Sequence, residues 1–271
     1  PINNIVDITN YILHAYGQPL HCFDADKIKG GKIVVKTVAE GTAFVTLDEV
    51  ERKLSDRDLM ICNTEEPMCI AGVFGGLDSG TTEQTVDVFL ESAYFNPTWV
   101  RKTARRHGLS TDSSFRFERG IDPNGTIYAL KEAALLVQEL AGGTISSEIK
   151  DNYPAPIADF TVQLNYDKVH SLIGKTIPAE TIKSIVTSLE MKTVNETPEG
   201  LTLQVPPYRV DVQRDCDVVE DILRIYGYNN VEIPTTLKSS LTTKGEVDYS
   251  QKLQNLISEQ LVGCGFNEIL N

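Results

Sequence analysis

Two side chains in the amino-terminal half are poorly explained by their neighbours. His21 follows Gly17-Gln-Pro-Leu, where a glycine stops a helical pattern and Pro19 breaks it, so the sequence places the imidazole on a loop able to face a cleft. The competing reading is a surface histidine, or a buried one with its hydrogen bonds satisfied. Thr9 and Asn10 complete the polar cluster on that side. Glu91 interrupts the apolar run Val88-Phe-Leu-Glu-Ser-Ala-Tyr-Phe. If Val86, Val88 and Leu90 face one side of a strand, Glu91 shares the other with Phe89 and Ala93, where a carboxylate needs a partner. A ligand hydroxyl would satisfy it, and so would the basic stretch Arg101 to His107.

Two charge clusters stand apart from these. Between Trp99 and Gly120 there are six Lys/Arg and two Asp/Glu, a local surplus of positive charge in a chain of net charge −13. Phe115 and Phe117 are interleaved with it, either as base-stacking platforms or as core residues beside arginines paired to carboxylates. Further on, Asp217, Glu220 and Asp221 fall at i, i+3 and i+4 of an expected helix, with Asp211 on the loop before it. Four converging carboxylates call for a hard cation such as Mg²⁺ or a basic partner. Acidic residues near a helix N-terminus are also favoured by the macrodipole, which leaves a solvated acidic face as the alternative.

The elements that must position these residues follow from periodicity and punctuation. Asp7 to Tyr16 reads as a helix stopped by Gly17; Lys32 to Val38, Asp58 to Cys62, Met68 to Gly76 and Val86 to Phe95 read as strands, the third running into a glycine turn. A helix starts at Pro97 with Asn96 as its N-cap, and another runs from Pro123 to Leu140 before Gly142-Gly143. The Pro-rich segment Asp151 to Ile157 marks a domain boundary. Beyond it, Phe160 to Leu164 and Leu201 to Pro207 read as strands; Asn165 to Gly174, Pro178 to Leu189 and Asp215 to Tyr226 read as helices. A second linker is expected around Pro234 to Glu246, followed by an amphipathic helix with Leu253, Leu256, Ile257 and Leu261 at helical spacing, taken as the first element of a further domain.

Composition sets the outer limits. The 271 residues are 41% hydrophobic and 23% charged, an ordinary globular balance long enough for two cores. Twenty-five Lys+Arg against 38 Asp+Glu argue against gripping nucleic acid by the overall field, so any such contact is local. No run approaches the roughly 18 apolar residues of a membrane span, and the first residues lack a signal-peptide pattern, which points to a cytoplasmic protein. Five scattered cysteines, never spaced Cys-x-x-Cys, disfavour disulfide scaffolds, zinc ribbons and thioredoxin-like sites. A first residue Pro1 and an end just past a helical pattern read as a fragment.

Six motifs occur in one order: Asn4-Ile-Val-Asp-Ile-Thr-Asn-Tyr, Gly17-Gln-Pro-Leu-His-Cys-Phe-Asp-Ala-Asp-Lys-Ile, Ile70-Ala-Gly-Val-Phe-Gly-Gly, Leu90-Glu-Ser-Ala-Tyr-Phe, Thr111-Asp-Ser-Ser-Phe-Arg-Phe-Glu-Arg-Gly-Ile-Asp-Pro and Arg224-Ile-Tyr-Gly-Tyr-Asn-Asn-Val. Together they resemble the bacterial phenylalanine–tRNA ligase beta chain over essentially the whole sequence. The resemblance implies an α+β multidomain protein: a B3/B4 tRNA-editing module at residues 1–150, a small B5 domain with a fold of the DNA-binding type at 157–232, and the start of an inactive synthetase-like core at 233–271. It implies hydrolysis of tRNA(Phe) wrongly charged with tyrosine, and support of aminoacylation in an alpha2-beta2 tetramer with the alpha chain. ATP would be used by that full enzyme and not bound by this stretch.

By motif position, the resemblance carries catalytic roles to His21 and Asn10, recognition of the tyrosine hydroxyl to Glu91, and pocket walls to Thr9, Gly75, Thr111 and Ser113. Ser113 stands where many members have Ala, a more polar and slightly larger wall. Asp211, Asp217, Glu220 and Asp221 match a carboxylate set that binds Mg²⁺ at the alpha-chain contact, with Asp221 one methylene shorter than the usual Glu. A pocket that merely holds a phenyl ring rejects an added hydroxyl weakly, whereas one built to hydrogen-bond that hydroxyl discriminates by orders of magnitude, and Glu91 is the residue type required. With no Ser-His-Asp or Cys-His arrangement in view, attack by a positioned water is expected. The competing class is a non-catalytic assembly and nucleic-acid-contact module, and a third is a free-standing trans-editing protein.

Overall fold

The structure, a computed structural model, describes residues 1–236 and 246–269. They divide into two units, Pro1–Tyr228 and Asn229–Asn271.

The first unit opens with α1 (Asn4–Tyr16), which starts three residues earlier than the apolar pattern predicts because the Asn3 side chain caps it, accepting from the Val6 amide at 2.8 Å. Gly17 ends it at φ 71°, a left-handed position that favours glycine. Then come β1 (Leu20–Asp24), β2 (Val34–Thr37), β3 (Ala43–Val45), β4 (Glu51–Lys53), β5 (Leu59–Cys62), β6 (Pro67–Ile70), β7 (Phe74–Gly75) and β8 (Val88–Ser92). Three helices follow: α2 (Pro97–His107), with Asn96 accepting from the Thr98 and Trp99 amides; α3 (Asp112–Phe117); and α4 (Thr126–Ala141). The last begins after Pro123, since Gly125 turns back onto the Asp122 carbonyl.

These strands are antiparallel throughout: a four-stranded sheet ordered β2-β5-β6-β7, the hairpin β3-β4, and the two-stranded ribbon β1-β8. The expectation of a loop at His21 is corrected, because His21 lies within β1, whose partner β8 is almost seventy residues away in sequence. Alternation divides the ribbon's faces. Leu20 and Leu90 turn to α1 and α4, against Ile8, Ile12, Ala129 and Ala133. Phe23 turns the other way, into a core with Met60, Ile61, Ile70, Val100 and Phe117.

Later in the same unit, β9 (Phe160–Asn165), α5 (Tyr166–Ile173), α6 (Ala179–Ser188), β10 (Lys192–Thr197), β11 (Gly200–Val205) and α7 (Asp215–Tyr226) form helices against an antiparallel sheet ordered β10-β11-β9. Val162, Leu164, Leu201, Leu203, Ile182, Val218 and Ile222 are buried there. The strand β10 was not visible in the sequence: all six of its residues are exposed and it is defined by pairing to β11.

The second unit contains α8 (Glu246–Gly263), the expected final helix, with Leu253, Leu256, Ile257 and Leu261 exposed. Most of the linker expected at Pro234 to Glu246 falls on residues 237–245, outside the described residues. Among the described residues no helix is long and apolar enough to cross a membrane.

Candidate active site

The register of the β1–β8 ribbon sets His21 directly opposite Glu91 and Phe23 opposite Phe89. Opposed residues of an antiparallel pair project to the same face, so the imidazole and the carboxyl share one side of the ribbon. That side opens onto a cavity of about 250 Å³, lined by Thr9 and Asn10 of α1, His21, Glu91, Gly75 of β7, and Thr111 and Ser113 at the start of α3. Seven residues drawn from five elements thus meet at one place.

His21 is half-buried as a residue, but its Nε2 is enclosed and has no hydrogen-bond partner among the described residues. Its ring packs edge-on to Phe23, centroids 4.4 Å apart. Burial lowers its pKa to about 4, so the imidazole is neutral at pH 7. Glu91 has no hydrogen bond or ion pair from the described residues, and burial raises its carboxyl to about 8, which leaves it mostly protonated at pH 7. The basic stretch does not reach it: Arg106 and His107 turn instead to the buried Asp58. Both alternatives left open for Glu91 in the sequence are thereby narrowed, since no arginine holds it.

The walls owe their shape to small groups. A Cβ on Gly75 would stand 2.8 Å from His21 Cε1 and 2.9 Å from Leu47 Cδ1, so only bare backbone lets the ring sit there. Thr111 Oγ1 donates to the Val73 carbonyl at 2.8 Å, and Ser113 Oγ donates to the Gly72 carbonyl at 3.2 Å. The extra polarity of Ser113 is therefore engaged by backbone. Leu47, Cys69, Phe74 and Phe95 also line the cavity and were not singled out from sequence, because nothing local distinguishes a pocket wall from core; Phe117, weighed there as a stacking platform or a core residue, lines it too. The cavity offers a neutral imidazole and a carboxylic acid proton, a pairing suited to a neutral hydroxylated ligand more than to an ion.

The acidic set behaves differently. On α7, Asp217 accepts from Arg214 Nη2 at 2.9 Å and from the amides of Gln213 and Arg214, while Asp221 pairs with Arg209 and Arg224. Asp211 and Glu220 are exposed. Among the described residues no three His, Cys, Asp or Glu side chains gather as metal ligands. The residues as arranged do not fit a Mg²⁺ ion, since the two least exposed carboxylates already have cationic partners. In the basic stretch, Phe117 is core, whereas Phe115 is exposed under the guanidinium of Arg119.

The B3/4 domain family matches residues 1–142, the portion that builds the cavity. The chain belongs to the B3/4 domain family. A match to the tRNA synthetase B5 domain covers residues 162–228. This B3/4 chain is 81% identical over its whole length to the phenylalanine–tRNA ligase beta subunits of Bacteroides fragilis and Bacteroides thetaiotaomicron, and 58% identical to that of Porphyromonas gingivalis. It spans about a third of the length of these relatives, 33% in each case. The resemblance read from the six motifs is borne out, as is the α+β arrangement of a B3/4 module followed by B5. An N-terminal fragment of the phenylalanyl-tRNA synthetase beta-subunit from Pyrococcus horikoshii aligns with TM-score 0.43 and 16% identity, covering 83% of this chain and 65% of that one.

Proposed function

We propose that the B3/4 cavity hydrolyses tyrosine from wrongly charged tRNA(Phe), as the editing part of a cytoplasmic phenylalanine–tRNA ligase that works with an alpha chain in an alpha2-beta2 assembly. The observation that carries this reading is the opposition of His21 and Glu91 in one cavity, with no side-chain partner for His21 Nε2 or the Glu91 carboxyl among the described residues. Glu91, protonated at neutral pH, donates its O–H to the tyrosine phenol oxygen. A phenylalanine ring offers no such group and leaves a buried carboxyl unsatisfied, the stronger kind of discrimination. His21 Nε2 accepts from the attacking water or from the terminal ribose hydroxyl, and Asn10 at the rim orients the ester. With no activated serine or cysteine in the cavity, water attacks the ester carbonyl directly, and the departing ribose oxygen takes a proton.

ATP-dependent aminoacylation belongs to the complete enzyme under this reading. Mg²⁺ at Asp211, Asp217, Glu220 and Asp221 would require Arg209 and Arg214 to release their carboxylates, so no step is assigned to it.

The test compares deacylation of tyrosyl-tRNA(Phe) and phenylalanyl-tRNA(Phe) by the complete ligase, with His21→Ala and Glu91→Ala variants. Selective tyrosyl hydrolysis lost in both variants supports editing. Unchanged hydrolysis in Glu91→Ala removes its recognition role, and no hydrolysis in the parent returns the chain to the assembly reading.

A further inference from the structure

None of the six cations between Trp99 and Gly120 lines the cavity, and the structure sorts them into two groups. Arg106 is committed to Asp58; Arg119 pairs with Glu118 and lies 3.6 Å from the Phe115 ring centroid; Arg116 lies 5.6 Å from the same ring. Arg101, Lys102 and Arg105 differ. All three are exposed, and none has a hydrogen bond or ion pair among the described residues. They sit at i, i+1 and i+4, within about 6 Å along the helix axis.

Local energetics do not account for them. The macrodipole favours cations in the last turn, which covers Arg105, but Arg101 and Lys102 lie in the middle of an eleven-residue helix. Like charges at i, i+4 repel, so Arg101 and Arg105 are unfavourable neighbours until something negative lies across them. In a chain of net charge −13, three cations without acceptors are a deliberate inversion of the local field. The indole of Trp99, 47% exposed, stands one turn before Lys102, a flat apolar surface beside a cation. That combination suits a nucleotide chain, phosphate on cation and base on aromatic face, better than an acidic peptide. The helix is also close to the cavity in the chain: only Asn96 separates it from Phe95, which lines the same cavity as Glu91.

We propose that Arg101, Lys102 and Arg105 on α2 hold the phosphate backbone of the RNA whose 3′ end enters the B3/4 cavity. This rests on reading that cavity as a site for an aminoacylated RNA end. The contact is electrostatic and independent of base sequence, so it sets affinity and salt dependence rather than the choice between tyrosine and phenylalanine.

The experiment measures binding of tRNA(Phe) to the complete ligase against salt concentration, for the parent and for the triple variant Arg101→Gln, Lys102→Gln, Arg105→Gln. Loss of three phosphate contacts makes the slope of log K against log salt shallower by roughly 2–3. A charge-keeping control, Arg101→Lys with Arg105→Lys, retains the parental slope, and hydrolysis of a tyrosine methyl ester lacking RNA is unchanged in all variants. An unchanged slope in the triple variant overturns the proposal. So does an unchanged slope with loss of subunit assembly, which would make this face a protein contact. If the parent binds tRNA but hydrolyses no tyrosyl ester, the editing reading fails while the slope comparison still decides this one.

Discussion

His21 and Glu91 face each other across the β1–β8 ribbon, and both are driven to their neutral forms by burial. An imidazole and a carboxylic acid this close in register would ordinarily form an ion pair. Here neither bonds to the other, and both line the same cavity. The ribbon therefore presents to the cavity an enclosed imidazole nitrogen without a partner and a carboxyl that no described side chain bonds, two groups a bound hydroxylated ligand could satisfy.

Glu91→Gln should flatten the dependence of stability on pH. A carboxyl raised from 4.5 to about 8 on folding binds a proton that the unfolded chain has released, so its contribution is intact below pH 4.5 and lost as pH rises to about 8. The loss is roughly 2–4 kcal/mol after allowance for water reaching a half-buried residue. His21 acts oppositely: lowered from 6.5 to about 4, it costs stability as pH falls through that window. Thermal melts from pH 5 to pH 9 should show Glu91→Gln gaining on the parent at the alkaline end; equal gains at both ends would contradict the shift.

Gly75→Ala should close the cavity without unfolding the module. The new methyl meets His21 Cε1 and Leu47 Cδ1, side-chain atoms able to move, so the stability cost is about 1–2 kcal/mol. Under the proposed editing function, displacement of His21 should abolish hydrolysis of tyrosyl-tRNA(Phe). A variant with parental Tm and parental hydrolysis would show that the imidazole does not need its observed position.

The places where the sequence was readable were those with local causes. The helix Asp215–Tyr226 has the predicted limits because Gly227 ends it, and α2 starts at Pro97 because Asn96 caps it. His21 was misplaced on a loop because its strand exists only through a partner distant in sequence, and Gly17 and Pro19 mask the alternation that begins after them. Asp217, Glu220 and Asp221 do lie on α7 with Asp211 before it, but they do not share one environment, since Glu220 is exposed and Asp221 buried, and i, i+3 spacing carries no information about Arg209, which reaches Asp221 from the preceding loop. Periodicity gave Glu91 the same face as Phe89; that no arginine would reach it depends on Asp58, a residue the pattern left inside a strand.

Asp58→Ala should be among the most damaging substitutions in the B3/4 module. Its fully buried carboxylate accepts from the Ser55 amide at 2.8 Å, Thr103 Oγ1 at 3.0 Å, Arg106, and His107 Nε2 at 2.6 Å. Burial raises its pKa, but the Ser55 amide, His107 and Thr103 outweigh that and hold it below the ordinary carboxylate value. Removal leaves a largely buried imidazole and a guanidinium unpaired and unties α2 from the residues before β5, at a cost of about 3 kcal/mol. Denaturant unfolding monitored by Trp99 fluorescence measures it, and a change under 1 kcal/mol would refute the network's role.

Thr111→Ala and Ser113→Ala separate anchoring from recognition. Thr111 Oγ1 caps α3 by accepting from the Ser114 amide at 3.0 Å while donating to the Val73 carbonyl, so its loss removes a cap and a cross-link, about 2 kcal/mol together. Ser113 Oγ makes one bond, to the Gly72 carbonyl, and its loss costs about 0.5–1 kcal/mol. Because that hydroxyl already donates to backbone, removing it leaves the polarity felt by a ligand ring nearly unchanged. Selectivity for tyrosyl over phenylalanyl ester should then shift by less than threefold in Ser113→Ala. A tenfold shift would mean that the Ser113 hydroxyl leaves Gly72 to meet the substrate, making it a second recognition group beside the one proposed at Glu91.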